Sequence, residues 1–226
     1  MAARPVLICR AQPGADATAK RTEALGLDAI VYPLFSIEPL TWTPPDPAAF
    51  DAVMLTSANA PRHGGDAMGR YMSLPAFVVE EATAKAAEKA GFQDIRICGP
   101  DVEGVISSIH NKGYKNILHL SGHHVRPYDP KDLNIVTCAV YQAAATGEAE
   151  ELAAHLARAP VILVHSPRTG KHVAALTTSR QRQGASIVAI SEAALQACGN
   201  DWKSMHAAKE PTDAAMLALV RQICHT

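Results

Sequence analysis

The strongest constraint on this chain is that its second half rewrites its first. FDAVMLTSANAPRHGG, LPAFVVEEATAKAAEKAG and DIRICGPDVEGVISSI are answered, in the same order, by APVILVHSPRTGKHVAAL, ASIVAISEAALQACG and MHAAKEPTDAAMLALV. Ser57 stands to Ser166 at the spacing that separates Tyr32 from Tyr141, and Pro100 and Pro211 are nearly in step. Each matched segment is a short apolar run, then a small or hydroxylated residue, then a stretch of helical periodicity, which is the pattern of a strand, a turn and a helix. The expectation is two similar α/β lobes with parallel sheets, right-handed crossovers, and a cleft between the lobes walled by the turns at the strands' carboxyl ends.

At 226 residues the chain is long enough for one large domain or two small ones, and the duplication favours two. Hydrophobic content of 48% with 19% charged residues is that of a globular chain, and no apolar run approaches the length of a membrane span. The start, MAARPVLICR, lacks the extended apolar region of a secretory signal, so a cytoplasmic address is expected. Cys9, Cys98, Cys138, Cys198 and Cys224 are odd in number and form no CxxC, which argues for reduced core residues over disulfides or a thiolate metal site. A net charge of −1 provides no electrostatic footprint for nucleic acid. Arg10, Arg62, Arg70, Arg126, Arg168 and Lys171 nevertheless fall in or near predicted turns, where several could meet a small polyanion.

RPVLICR reads as an opening strand and ADATAKRTEALG as an amphipathic helix, followed by an extended segment, DAIVYPLFSIEPL. Three strand–helix units run to about residue 113, KNILHLSG opens a further strand, and HHVRPYDPKDLN is turn-rich. IVTCAVYQAA answers the first extended segment, and three more strand–helix units complete the chain. The two extended segments are natural connectors, at about 31–40 and 137–143. The expected division is a discontinuous lobe of residues 1–36 plus 142–226 and an inserted lobe of 40–136, hinged on two adjacent strands.

Chemistry is expected at the helix starts, where hydroxyl side chains and unpaired backbone N–H groups suit carboxylate or phosphate. The residues there are Thr56, Ser57 and Asn59; Thr83; Ser166, Arg168, Thr169 and Gly170; Ser191; and Pro211 with Thr212. Simple N-capping is the competing role for each. Nucleotide motifs fail: no GxGxxG follows the first strand, and in SPRTGKHV His165 and His172 occupy positions where a P-loop needs glycine and Ser or Thr. His119, His123 and His124 lie in a strand running into a turn, without an HExxH pattern, and read as a partly exposed cluster and not a metal site. Tyr141 on the second connector can donate a proton without first ionising, or can simply pack there as Tyr32 is expected to do.

Taken in order, LICR, VYPLFSIEPL, FDAVMLTSANA, EATAKAAEKAGF, ILHLSG, VYQA, HSP and AISEAAL with AAKEPTDAAML resemble the uroporphyrinogen-III synthase family over nearly the whole chain. The resemblance implies two flavodoxin-like lobes on a two-stranded β connector, with hydroxymethylbilane held between them and closed to uroporphyrinogen III by loss of water and inversion of the last pyrrole ring. It implies no cofactor and no metal. Tyr141 would be catalytic, assisting departure of the hydroxyl. Ser57, Thr83, Ser166 and Thr212 match turn positions lining the cleft and Arg10 a basic residue ending the first strand; with Asn59, Gly170 and Lys171, in or near the same turns, these eight form the candidate substrate-binding set. Glu80 stands where the family commonly has glycine, and Ser121 where arginine is common. The expected partners are the polycarboxylate substrate and, transiently, the upstream bilane-forming enzyme, with a monomeric protein and neither nucleic acid nor membrane. A catalytically silent two-lobed binding module for a small polyanion is the alternative.

Overall fold

The structure, a computed structural model, describes residues 4–224; residues 1–3 and 225–226, the ends of the expected discontinuous lobe, lie outside it. The chain begins with β1 (Val6–Ile8), α1 (Gly14–Ala24), β2 (Ala29–Val31) and β3 (Phe35–Pro39). It continues through β4 (Ala52–Leu55), α2 (Asn59–His63), β5 (Ala76–Val78), α3 (Glu81–Ala90), β6 (Ile95–Ile97), α4 (Val102–Asn111), β7 (Asn116–Gly122) and β8 (Asn134–Ala145). It ends with α5 (Ala149–Leu156), β9 (Val161–Val164), α6 (Pro167–Ala175), α7 (Ser179–Arg182), β10 (Ser186–Ala189), α8 (Glu192–Gln196), β11 (Ser204–Ala207) and α9 (Asp213–Cys224). Two compact units result, Met1–Ser36 with Ala144–Thr226, and Ile37–Ala143.

The central strands are short, continuous apolar runs: VLI in β1, AVML in β4 and VILV in β9 are buried throughout. Such runs suit a parallel sheet covered by helices on both faces, which leaves no solvent side for a polar alternation. α4, α6 and α8 start where a short polar side chain takes up an orphan N–H group. The Asp101 carboxylate accepts from the Gly104 amide at 2.9 Å, Ser166 Oγ from Thr169 at 3.1 Å, and Ser191 Oγ from Ala194 at 3.3 Å. α3 ends at Gly91, whose φ of 109° closes the helix in the left-handed region.

The first unit's sheet has the order β11-β10-β9-β1-β2 and the second's β3-β8-β7-β4-β5-β6. Setting β3 aside, these are one sheet drawn twice, with β9, β10, β11, β1 and β2 in the places of β4, β5, β6, β7 and β8. The chain enters each at a different strand, so the repeat is a permuted one. Register fixes the equivalences: Ile8 pairs with Leu163 and His119 with Met54. Leu163 and Met54 share the spacing of the serine pair, so His119 holds the place of Ile8, and Ser121, two residues on, that of Arg10. In each sheet the crossovers leave two adjacent strands in opposite directions, β1 and β9 in one, β4 and β7 in the other, and a crevice opens above their carboxyl ends.

Core packing follows from these strands. In the second unit Val53, Leu55, Met68, Tyr71, Leu118, Leu120 and Val140 fill one face, and Met54, Phe77, Val105, Ile106 and Ile109 the other. The buried Tyr71 satisfies its hydroxyl by donating to the Pro45 carbonyl at 2.7 Å. All five cysteines are unpaired, and burial pushes the Cys9 and Cys198 thiols up to about 12. In the first unit α6 lies against α8 at Gly170, where an added Cβ would meet the Ala194 carbonyl at 2.8 Å and Cys198 Sγ at 3.0 Å. Backbone cannot give way there cheaply. Gly170→Ala is expected to lower the unfolding free energy by about 1–3 kcal/mol, read from urea denaturation.

Candidate functional site

In the second unit a cavity of about 630 Å³ lies over the carboxyl ends of β4 and β7. Thr56 and Ser57 enter from the turn after β4, and His119, Ser121 and Gly122 from β7. Glu80 and Asp101 come from the starts of α3 and α4, Arg126 and Tyr128 from the loop after β7, and Tyr141 from β8. Its place is the one the sheet topology prescribes for a ligand.

An irregularity sets the face on which Tyr141 stands. Ser121 pairs with Ala139 but Gly122 with Tyr141, so β8 carries one extra residue there. Side chains alternate across a strand, and the bulge resets the alternation, turning Tyr141 onto the face shared by Leu118 and Leu120. Gly122 makes room: a Cβ on it would stand 2.8 Å from Tyr141 Cζ and 3.0 Å from its hydroxyl. The ring lies 6.4 Å from that of His63, and among the described residues no hydrogen bond engages the phenol. Its counterpart is tied down: the Tyr32 hydroxyl accepts from the Glu148 amide at 3.0 Å and donates to Glu151 at 3.1 Å. The repeated tyrosines have therefore diverged.

His119 corrects the expected histidine cluster. His123 and His124 are exposed, whereas His119 is wholly buried, because as a mid-strand residue it points into the sheet's own packing. Its Nε2 lies 3.0 Å from Thr56 Oγ1 and its Nδ1 3.1 Å from the Tyr128 hydroxyl. Desolvation pushes its pKa down to about 4, so the ring is neutral.

The other candidates of this unit scatter. Ser57 lines the cavity and its Oγ accepts from the Asn59 amide at 3.2 Å, while Asn59 itself opens α2. Thr83 sits inside the first turn of α3, fully buried, its Oγ1 without a partner. Ser121 is buried and donates to the Gly122 carbonyl at 3.1 Å, so Arg126 supplies the guanidinium of this cavity.

In the first unit the switch point is occupied by Asp213, at the start of α9. It accepts from Thr18 Oγ1 at 2.7 Å, His165 Nε2 at 2.9 Å, Arg21 at 2.6 Å and Arg10 at 3.3 Å. Burial raises its pKa, but the hydrogen bonds from His165 and Thr18 and the charges of His165 and Arg10 outweigh it and hold the carboxyl well below the usual range. Arg10 is thus partly neutralised within its own unit. His165 is turned inward with Nδ1 unpartnered. Ser166 caps α6, Gly170 is a packing residue, Lys171 is exposed on α6, and the exposed Thr212 accepts from the Ala215 amide at 3.2 Å. Asp213 and Tyr128 carried no sequence signal, since what brings each to its site is packing across distant segments.

Doubly wound α/β units, with a polar cavity over the strand ends of the second, define an α/β protein of the ligand-binding class. A family model, described as uroporphyrinogen-III synthase HemD, matches residues 16–218. No curated protein sequence matches significantly. A solved uroporphyrinogen-III synthetase from Helicobacter pylori is similar with a TM-score of 0.67 at 16% identity, over 97% of this chain and 99% of that one. A mutant uroporphyrinogen III synthase from Thermus thermophilus gives 0.51 at 12% identity, over 98% and 100%. The chain belongs to the uroporphyrinogen-III synthase family, cyclising lyases of porphyrin and haem biosynthesis that act on a polypyrrole. Among the described residues no helix is long and apolar enough to cross a membrane.

Two outcomes follow from this geometry. Gly122→Ala is expected to leave the melting temperature nearly unchanged, because a tyrosine ring can swing aside, yet to displace Tyr141 and cut turnover roughly tenfold, the scale on which small misplacements act; steady-state assay beside calorimetry separates the two. Between pH 6.5 and about 4 the unfolded chain takes up a proton that buried His119 refuses, so stability should fall as pH falls through that window. The full effect is about 3 kcal/mol. Urea midpoints across the window, compared with those of His119→Gln, should show a shallower slope in the variant.

Proposed function

We propose that this chain converts hydroxymethylbilane to uroporphyrinogen III, expelling the terminal hydroxyl as water and closing the ring with inversion of the last pyrrole. The observation that carries the reading, beside family membership, is the unengaged phenol of Tyr141 in the wall of a cavity that also holds Ser57, Thr56 and Arg126. Tyr141 donates a proton to the departing hydroxyl. That group leaves poorly as hydroxide and readily as water, and a phenol is protonated at neutral pH without help. Arg126 and the hydroxyl-bearing turns hold acetate and propionate carboxylates, and Asn59, Ser166, Lys171 and Thr212 are the further proposed contacts; of the remaining expected contacts, Thr83 and Gly170 are committed to packing and Arg10 to Asp213. A near-neutral protein can bind such a substrate because N–H and O–H donors at helix starts recognise carboxylates without a large net charge.

The bilane left alone closes without inversion, so the enzyme's task is to favour one transition-state geometry over another. A few kcal/mol of differential binding changes that ratio by orders of magnitude, and no single indispensable base is required. The proposed setting is a cytosolic monomer that receives its labile substrate from the bilane-forming enzyme. Glu80, Asp101 and Glu103 in the cavity wall oppose any anionic ligand, so the alternative, a silent binding module for a small polyanion, meets the same charges and differs from the enzyme only in lacking turnover.

Freshly generated hydroxymethylbilane, given to the purified protein and followed by oxidation and chromatographic separation of the uroporphyrin isomers, decides between them. A dominant type III isomer is expected; type I alone, at the rate without protein, would leave the binding module. Tyr141→Phe should fold normally and form type III roughly 10²-fold more slowly, the range of general-acid assistance. An unchanged rate and isomer ratio would remove Tyr141 from the mechanism.

A further inference from the structure

His119 and Ile8 occupy the same place in the two copies of the sheet, and an apolar side chain there suffices for the fold of the first unit. An imidazole at that place takes two polar ring atoms out of water, which is costly unless each finds a partner. Each does, in Thr56 Oγ1 and the Tyr128 hydroxyl. Both of those residues line the cavity, where water or a ligand could satisfy their hydroxyls, so neither needs the histidine. The arrangement therefore serves something other than burial.

A neutral imidazole has one N–H and one lone pair. Of the two hydroxyls, one must accept from the ring and keeps its own proton to donate; the other donates to the ring and offers only lone pairs. We infer that His119 is a positioning residue that joins Thr56 and Tyr128 into one proton-ordered chain, presenting a single hydroxyl donor to a carboxylate of the substrate in this cavity. The inference rests on the polycarboxylate substrate proposed above. Glu80, Asp101 and Glu103 from the starts of α3 and α4, and His124 and Arg126 from the loop after β7, are the other charged or titratable groups around the same cavity, with Tyr141 on β8. Tyr128 belongs to that loop, so the chain also fixes the loop to β7 beside Arg126.

The full-length wild type and the variants His119→Ile, Thr56→Val with Tyr128→Phe, and all three together test this. Long-range 1H–15N spectra of the wild type should show His119 as one neutral tautomer from pH 5.5 to 8, a signature independent of activity. His119→Ile should fold cooperatively, as the isoleucine of the other copy indicates, and raise KM for hydroxymethylbilane roughly tenfold with kcat changed far less, the scale of one hydrogen bond to a charged group. In the Thr56→Val, Tyr128→Phe background the same change should add nothing, because His119 acts only through those hydroxyls. An unchanged KM in His119→Ile, an equal loss in the doubly substituted background, or an imidazolium signal within that pH range would each overturn the inference. Should His119→Ile not fold, the doubly substituted protein must still show the raised KM, and an unchanged value there overturns it equally. A wild type that forms no type III isomer would instead sink the functional reading, while the spectra judge the hydrogen-bonded chain separately.

Discussion

The adjacency of two parallel strands whose crossovers depart in opposite directions governs everything else in each unit. β4 beside β7, and β1 beside β9, are held by backbone pairing among fully buried residues, all apolar but His119, so their relative register is rigid. Where the crossovers part, no helix covers the strand ends, and backbone N–H groups and turn side chains are left facing a crevice. The residues placed there inherit a fixed scaffold. Thr56 and His119 meet because Met54 and His119 are paired neighbours, and Arg10 and His165 approach the same carboxylate because each lies within two residues of the end of a strand of the other pair.

The two copies have solved the same geometric problem with opposite electrostatics. In the first unit a carboxylate, Asp213, is held ionised by arginines, a histidine and a threonine, an arrangement that ties α1, β9 and α9 together. In the second the corresponding crevice keeps a neutral imidazole bonded to two hydroxyls and the unengaged phenol of Tyr141, with Arg126 set among Glu80, Asp101 and Glu103. A group already saturated with internal partners has little left to offer a ligand, whereas hydroxyls at a cavity wall can exchange water for a carboxylate at small cost. Duplication thus supplied two crevices, and divergence left one mostly structural and one open.

The fold class was legible because its signals are local. Buried parallel strands write themselves as runs such as AVML and VILV, helix starts as Ser or Asp before a periodic segment, and the repeat exposes its units by spacing. The site was legible only in part. Ser57 and Tyr141 share a cavity, but Asn59 and Thr83 lie outside its lining, and Gly170 is spent on helix packing. A turn position says that a side chain can face a ligand; it does not say whether neighbours have already engaged it.

By itself the sequence determined the two-copy α/β architecture, the parallel sheets and the family, because these depend on composition and order along the chain. Tertiary structure alone decided that the copies are permuted, that a bulge turns Tyr141 toward Leu118 and Leu120, and that His119 is buried between Thr56 and Tyr128. Those outcomes turn on register and on contacts between residues far apart in the chain. A single extra residue in β8, or the choice of which strand lies beside which, leaves no trace in local periodicity and yet settles which side chains meet.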